Sequence, residues 1–400
     1  MNPRIPHISP RIAIATAFIL RGFVQGSWYP RVPGVADRVE VNSATLGSIF
    51  FLFALGNIIA FMLAARLTLR IGSPRTHLLF SLPFPLIVVG LGQVATPLQF
   101  AIGMFAFGLC AGIYDISSSV QGAVVERQTH KPIISALYGF YSVGALTGSF
   151  SSGLLAQAGL PITAQFLGMA VVMIPLSWLL TQSMLPDDIV PAPAMRRMRR
   201  LPTLPPKAIL LLGLTIVCIA LGEETVNNWA ALYMKDHLGT TAAVGSWAFT
   251  AFSISTATGR LFGDAVIARV GTDRTLTIGT IFAAAGVGFG MIVNQPWAII
   301  LGYTVMGFGL AVVVPVTYRR ANAIPGVAPA TAVATVASIG FCGFLIGPLL
   351  VGTIADLTSL RVAIFAVAMV LLGIVVLTKV NPSSSSYSAP HVAREIGENA

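Results

Sequence analysis

Between Leu221 and Trp229 the chain reads LGEETVNNW, after AILLLGLTIVCIA at 208–220 and before AALYM at 230–234. Two carboxylates, Glu223 and Glu224, and two amides, Asn227 and Asn228, therefore interrupt an otherwise apolar helix. Ionisable groups within lipid are costly, face a partner or a cavity, and mark ion or substrate paths. A carboxylate shielded from water holds a proton more tightly, and a nearby arginine favours the ionised form. A carboxylate that alternately meets and loses an arginine would thus take up and release a proton. The arginine is Arg21 in FILRGFVQGSW, about ten residues into the first apolar span and roughly 15 Å deep at 1.5 Å per residue. Asp115 in GIYDISSS adds a third carboxylate. Neighbouring helix residues point about 100° apart, so one of the two glutamates faces a cavity squarely. Glu223 shares a face with Asn227, and Glu224 with Asn228. Arg21 could hold an anionic substrate group bidentately, or neutralise an acid in a permanent bridge to Asp115. Gln25, Trp28, Asn227 and Trp229 suit contact with a polyol or amphipathic organic molecule, or equally packing and interfacial anchoring.

The elements that position these residues follow from composition. Of 400 residues, 55% are hydrophobic and 10% charged, against about 25% charged in soluble domains. At ~20 residues per span, twelve apolar spans fit between residues 12 and 379. The net charge of +10 does not mark a nucleic-acid binder, because of where it sits. Of 24 Lys and Arg residues, 18 fall on one side of the twelve-span plan, at the two termini and in alternate loops, and 4 on the other (Arg31, Arg38, Lys235, Arg361). Positive charge marks the cytoplasmic side, so both termini are expected there, in an inner (cytoplasmic) membrane. Arg21 and Arg260 fall within spans. Cys110, Cys218 and Cys342 lie in apolar runs with no CxxC spacing, which argues against disulfides and zinc. MNPRIPHISPR has no apolar core with a cleavage site, so no cleaved leader is expected. The five histidines fall at span ends or in loops, which removes an obvious midplane histidine relay.

The polar, Pro- and Arg-rich stretch 185–206 divides six spans from six and is expected to be a cytoplasmic linker. The division gives an N-terminal half at 1–184, a C-terminal half at 207–380 and a tail at 381–400, whose SSSSYS composition predicts disorder. The halves repeat: RIGSPR at 70–75 recurs as RVGTDR at 269–274, LGS at 46–48 as VGS at 244–246, GALTGSFSSG at 144–153 as GFLIGPLLVG at 343–352, and FGLC at 107–110 as FGLA at 308–311. Two halves in the same helix order are parallel repeats, an arrangement that places substrate near the midplane between them. Gly144 with Gly148, and Gly343 with Gly347, are four apart on one helix face, where backbones can approach closely. Pro348 can bend its helix. The expected fold is an all-α membrane protein of twelve transmembrane helices in two six-helix repeats.

The plan and the RxG[ST]xR loops resemble the major facilitator superfamily. WYPRVP (28–33), YDISSSVQGAVVER (114–127), YGFYSVG (138–144), GEETVNNW (222–229), GRLFGD (259–264) and VVPVTYRRANAIPGV (313–327) resemble its bacterial inner-membrane YbjJ-like, fucose-permease-related branch. The resemblance implies a central cavity lined by the first, fourth, seventh and tenth spans, and it selects Glu223 over Glu224. Leu69 and Pro74 depart from the superfamily loop motif, while Asn228, Ser119 and Tyr138 stand where the branch has Asp, Asn and His. Tyr138 joins the cavity candidates on this ground. Arg70, Arg75, Arg260, Asp264 and Arg269 are expected to form a gate or structural ion pairs. Aligning Trp28 with Trp229 sets Arg21 opposite Gly222, so Arg21 is the partner expected for Glu223 across the cavity, with Asp115 as its competitor.

The implied activity is secondary transport of a small organic solute with protons, by a monomer using alternating access and no cofactor. GFLIGPLLVG resembles an antiporter motif and leans toward export, but symport of a sugar-like solute stays open. A non-transporting receptor on a carrier scaffold is the alternative from another class. No Walker loop, HExxH or GxSxG occurs, so neither ATP-driven transport nor an enzyme is indicated.

Overall fold

A computed structural model describes residues 8–129, 133–186, 207–324, 327 and 329–380. Apart from Leu185 and Pro186, the expected linker and the tail lie outside the described residues. The described chain is helical, without strands. It runs α1 (Pro10–Trp28), a 3-10 turn (Tyr29–Arg31), α2 (Val32–Val39), α3 (Ser43–Ile71), α4 (Ser73–Ser81) and α5 (Pro83–Leu91). Next come α6 (Pro97–Thr129), α7 (Ile134–Gln157) and α8 (Ile162–Thr181). The second half holds α9 (Lys207–Asp236), α10 (Ala242–Val270), α11 (Thr272–Val293), α12 (Pro296–Asn322), α13 (Pro329–Leu357) and α14 (Leu360–Val380).

Prolines 83 and 85 each lack a backbone N–H, so α4 and α5 form one rod interrupted at Leu82. Among the described residues, nine helices are long and apolar enough to cross a membrane. The longer helices that miss this mark are α1, α7 and α10, which carry Arg21, a Gly- and Ser-rich face and Arg260. They fall short because charged, polar and small residues, among them the glycines of the α1–α7 seam, lower their hydropathy.

The repeat extends to the backbone. Asn42 caps α3 by accepting from Thr45 N at 2.9 Å, and Thr241 caps α10 by accepting from Val244 N at 3.4 Å. Gly72 (φ 84°, ψ 156°) and Gly271 (φ 85°, ψ 156°) make the same turn after those helices. That conformation is open to glycine and strained for other residues. Packing partners also repeat: α1 lies on α7 as α9 lies on α13, and α3 on α6 as α10 on α12. Between halves, α3 packs on α13 and α10 on α7. These are equivalent positions with the halves exchanged, the relation expected of a pseudo-two-fold axis.

Contacts between halves gather at the end remote from the arginine-rich turns. A Cβ on Gly47 would collide with the Pro348 carbonyl, and one on Gly352 with the Ser43 carbonyl, so α3 and α13 touch backbone to backbone. Asn42 Nδ2 donates to Asp356 Oδ2 at 3.4 Å, Lys235 pairs with Asp37, and Thr250 Oγ1 lies 3.4 Å from Ser149 Oγ. α2 packs on α9 at this end. The opposite, basic end holds Arg70, Arg75, Arg269 and Arg274, all exposed.

Candidate functional site

Arg21 sits on α1, and α1 is pressed against α7. Cβ atoms on Gly22 and Gly26 would strike the carbonyls of Tyr141 and Ala145, and Cβ atoms on Gly144 and Gly148 those of Ile19 and Phe23. Four glycines on two facing helices thus let the backbones meet, which turns Arg21 toward α6. Tyr114 Oη donates to the Ala17 carbonyl at 2.8 Å and fixes the register of α1 on α6. Arg21 Nη2 then donates to Asp115 Oδ2 at 3.0 Å, and Nε lies 2.9 Å from Oδ1 without hydrogen-bond alignment. Nη1 donates to Gln25 Oε1 at 2.9 Å, and Gln25 Nε2 to Tyr29 Oη at 2.8 Å. The guanidinium also lies 5.1 Å from the Phe84 ring centre and 5.7 Å from that of Tyr141. The Arg21 side chain is 5% exposed and that of Asp115 39%. The charge is buried and its counter-charge opens on the cavity.

This arrangement overturns the expected pairing of Arg21 with Glu223. Helices α1 and α6 touch within one half, whereas the cavity separates Arg21 from α9. The face assignment on α9 changes too. Glu224 shares a cavity of about 290 Å³ with Arg21, Gln25, Tyr29, Asn57, Asp115, Tyr141 and Asn227. Phe53, Phe61, Phe341 and Phe344 form its apolar wall. Glu223 faces an adjoining cavity of about 210 Å³ with Ser253, Thr256 and Arg260. Tyr29, Tyr141 and Asn227 border both. The two adjacent carboxylates therefore serve two compartments.

Their partners differ in kind. Asn227 Nδ2 donates to Glu224 Oε1 at 2.9 Å and Asn228 Nδ2 to Oε2 at 2.8 Å. Asn228 is buried, lies on neither cavity wall, and serves to hold the carboxylate. Glu223 Oε1 lies 3.7 Å from Arg260 Nη2, a long contact to a half-exposed side chain. The bridge expected between Arg260 and Asp264 involves a side chain outside the described ones, and Glu223 is the acid placed by Arg260.

Other candidates sit elsewhere. Trp28 is fully buried among Phe100, Phe107 and Phe166, and Trp229 against Phe50. Trp28 fills the interior of the first half and Trp229 the seam between halves, so neither lines these cavities. Tyr138 is exposed, with its Oη 3.4 Å from Ser119 Oγ and its ring edge-on to Phe18, away from both cavities. Among the described residues Arg70, Arg75 and Arg269 join no ion pair, and at the α11 turn Asp273 pairs with Arg320. His77, near the start of α4, is fully buried, with Nδ1 3.1 Å from Ser118 Oγ. Gly343 abuts the Val217 carbonyl, while Gly347 leaves ordinary space beside Leu221.

Tyr29, Asn57 and Tyr141 were not singled out from sequence. Asn57 carried a signal, as the one amide in FFLFALGNIIAFML. Tyr29 and Tyr141 carried none beyond their motifs, because tyrosine is common at helix ends and interfaces. No group of three or more metal-ligating side chains occurs among the described residues.

The family model described as Major Facilitator Superfamily matches residues 212–396. An MFS-type transporter of Yersinia pestis is 29% identical over 372 residues, covering 92% of this chain and 94% of that one. The transporter y4wD of Sinorhizobium fredii is 28% identical, covering 90% and 95%, and membrane protein MosC of Rhizobium meliloti is 25% identical, covering 89% and 86%. Among solved structures, a mutant of the nucleoside transporter NupG superposes with TM-score 0.77 at 10% identity, covering 93% of this chain and 99% of that one. A bacterial homolog of the human lysosomal transporter Spinster, inward-facing and occupied, gives 0.71 at 13% identity, covering 93% and 96%. At these identities the structures speak for the fold alone. Repeated halves, a polar cavity between them and relatives that match along most of their length make this chain similar to the multi-pass membrane transporters of the major facilitator superfamily.

Proposed function

We propose that the chain is a proton-coupled secondary transporter that moves a small organic solute by rocking residues 1–184 against 207–380. It acts as a monomer in a bacterial-type inner membrane with both termini in the cytoplasm. The observation that carries this reading is the larger cavity between the halves, where Arg21 and Asp115 of one half share walls with Glu224 of the other. Its volume of about 290 Å³ is near the lower end of small-molecule sites. With contacts between halves gathered at the end remote from the basic turns, this state is closed outward and faces inward. Glu224 is the proton carrier. Protonating Glu223 would leave Arg260 without its acid, and protonating Asp115 would strand buried Arg21, whereas Glu224 has amide partners only. The geometry thus favours Glu224 over Glu223, the choice made from sequence.

The test is flux in proteoliposomes. An imposed pH gradient should drive uptake or efflux of a solute found by thermal-shift screening. Glu224→Gln should abolish the driven component while exchange of that solute without a gradient survives at raised solute concentration, and Glu223→Gln should reduce the driven component less. Complete loss in Glu223→Gln with little change in Glu224→Gln would reverse the assignment. Binding without any flux would favour a receptor. Tags at residue 195 and at the C-terminus should report cytoplasmic and one near Gln295 external; a cytoplasmic label at Gln295 would break the topology.

A further inference from the structure

We infer that the cargo carries a positive charge, most simply a protonated amine, and that this amine and the proton compete for Glu224. The inference rests on the transport reading and adds the cargo's class and the sense of exchange. It comes from the charge on the cavity walls. Arg21 is matched by Asp115 at 2.9–3.0 Å, and Glu223 of the adjoining compartment by Arg260. Glu224 has no basic partner, so the larger cavity holds one negative charge in excess. The ionisable groups around Glu224 are Arg21 and Tyr29 from α1, Asp115 from α6, Tyr141 from α7, Arg260 from α10 and Glu223 beside it. The walls contributed by α3 and α13 add none.

The two amides each donate one hydrogen bond to Glu224 and leave further acceptor positions on its oxygens. A protonated amine is a donor only and fills those positions, whereas a carboxylate or phosphate would meet the excess charge and be repelled. The aromatic wall supports the same ligand. Tyr29, Tyr141 and Phe341 border the cavity, and cations are attracted to aromatic faces, more strongly where water is excluded. Arg21 might suggest an anion instead, but its fork is already occupied by Asp115 and Gln25. When the amine sits on Glu224 the carboxylate must be ionised, and when the proton sits there the amine has lost its counter-charge. Exclusive occupancy of one group by either cation gives exchange of proton for cargo, not movement of both together.

The experiment uses the full chain purified in detergent and two pairs of probes matched in size, benzylamine with benzyl alcohol and glucosamine with glucose. A ligand that binds only the folded state raises the melting temperature. At pH 7 at least one amine should raise it in a concentration-dependent way, its alcohol partner should not, and the effect should weaken as the pH is lowered toward 5. Glu224→Gln should weaken amine binding about 10- to 100-fold, the loss expected for a hydrogen bond to a charged group. Glu224→Asp keeps the charge and should keep the preference at lower affinity, so a loss in the glutamine variant is then not a folding failure. No amine-dependent shift, equal shifts for amine and alcohol, or a preference that survives Glu224→Gln would overturn the inference. Proton-driven flux of a neutral solute would sink it while leaving the transport reading intact. Amine binding without flux would do the reverse.

Discussion

The two halves share a backbone plan but handle charge in opposite ways. In the first half, Arg21 and Asp115 neutralise one another across α1 and α6. In the second, the alignment sets Gly222 at the Arg21 position and Val316 at the Asp115 position. Its acids stand one step away, on α9, with amides or a distant arginine for company. Near the basic end the assignment is exchanged. Gln121 Nε2 donates to Ser73 Oγ at 2.7 Å in the first half, while in the second Arg320 pairs with Asp273, one residue past the one aligned with Ser73. The halves thus share the helices that meet, while the polar residues between those helices differ in position and charge. The first half closes its acid onto an arginine, and the second holds Glu224 on two amides, without a basic partner.

The largest expected effect breaks the closed pair. Asp115→Asn leaves a guanidinium that is 5% exposed without its counter-charge. Breaking buried pairs costs about 3–5 kcal/mol, and because Asp115 itself is partly open the lower end is expected. That is more than a hundredfold in the folding equilibrium, to be read as lost monodisperse protein or a much lower melting temperature. Arg21→Gln combined with Asp115→Asn should recover much of the loss, since the double variant buries no lone charge. If Asp115→Asn is harmless and Glu223→Gln is not, the pairing across halves expected from the sequence was right after all.

Much of the fold was legible because it is written in patterns that survive locally. Apolar length, the arginine bias and repeated glycine-bearing turns such as Gly72 and Gly271 need no knowledge of neighbours. The site was legible in type but not in facing. Arg21, Asp115, Glu223 and Glu224 stood out by cost alone. Which carboxylate looks into which cavity depends on the rotation of α9 about its axis, set by packing on α13 and α10. A step of one residue is a turn of about 100°, so a choice of Glu223 by resemblance says nothing of which cavity each carboxylate faces. Trp28 and Trp229 misled for a related reason: an aromatic residue near a polar run reads alike whether it lines a cavity or fills a core.

Next in size is the contrast between glycines. Gly144→Ala puts a methyl group into the carbonyl of Ile19, with backbone on both sides and nothing flexible to yield. Overpacking of this kind costs about 1–3 kcal/mol. Gly347→Ala, whose added carbon would lie 3.4 Å from the Leu221 Cα, should be near neutral. Melting temperatures of the two variants give the comparison. Equal loss would mean that the tight contact of α13 on α9 at Gly343 extends to Gly347, and that the halves are mechanically alike.

A smaller loss is expected at the exchanged position. Asp273→Asn weakens the partner of Arg320, whose side chain is 7% exposed while that of Asp273 is 47% exposed. Half of the pair meets solvent, so the loss should be nearer 1 kcal/mol than the several expected of a fully buried pair. Gln121→Ala in the first half removes a buried amide that bonds Ser73 and both backbone groups of Leu185, and should cost about 1 kcal/mol per bond lost. Chemical or thermal unfolding of the two would show whether charge at this turn adds anything that an amide does not.

The smallest expected effect in stability is the most informative about motion. Lys235 of α9 pairs with Asp37 of α2 across the closed end, with side chains 33% and 55% exposed. An exposed pair contributes less than about 1 kcal/mol, so Lys235→Ala should barely move the melting temperature. The same fraction of a kcal/mol acts on a different balance when it joins two bodies that rock. A loss of about 0.4 kcal/mol shifts the ratio of outward-closed to outward-open states roughly twofold. Spin labels on Glu40→Cys and His237→Cys, with Cys342→Ala to remove the exposed native thiol, report that distance directly. Lys235→Ala should raise the longer-distance population, and added salt should do the same to the parent because exposed pairs are screened. An unchanged distribution in both would assign the closure to the backbone contacts of Gly47 with Pro348 and of Gly352 with Ser43, leaving the ion pair as a surface contact without a role in the transition.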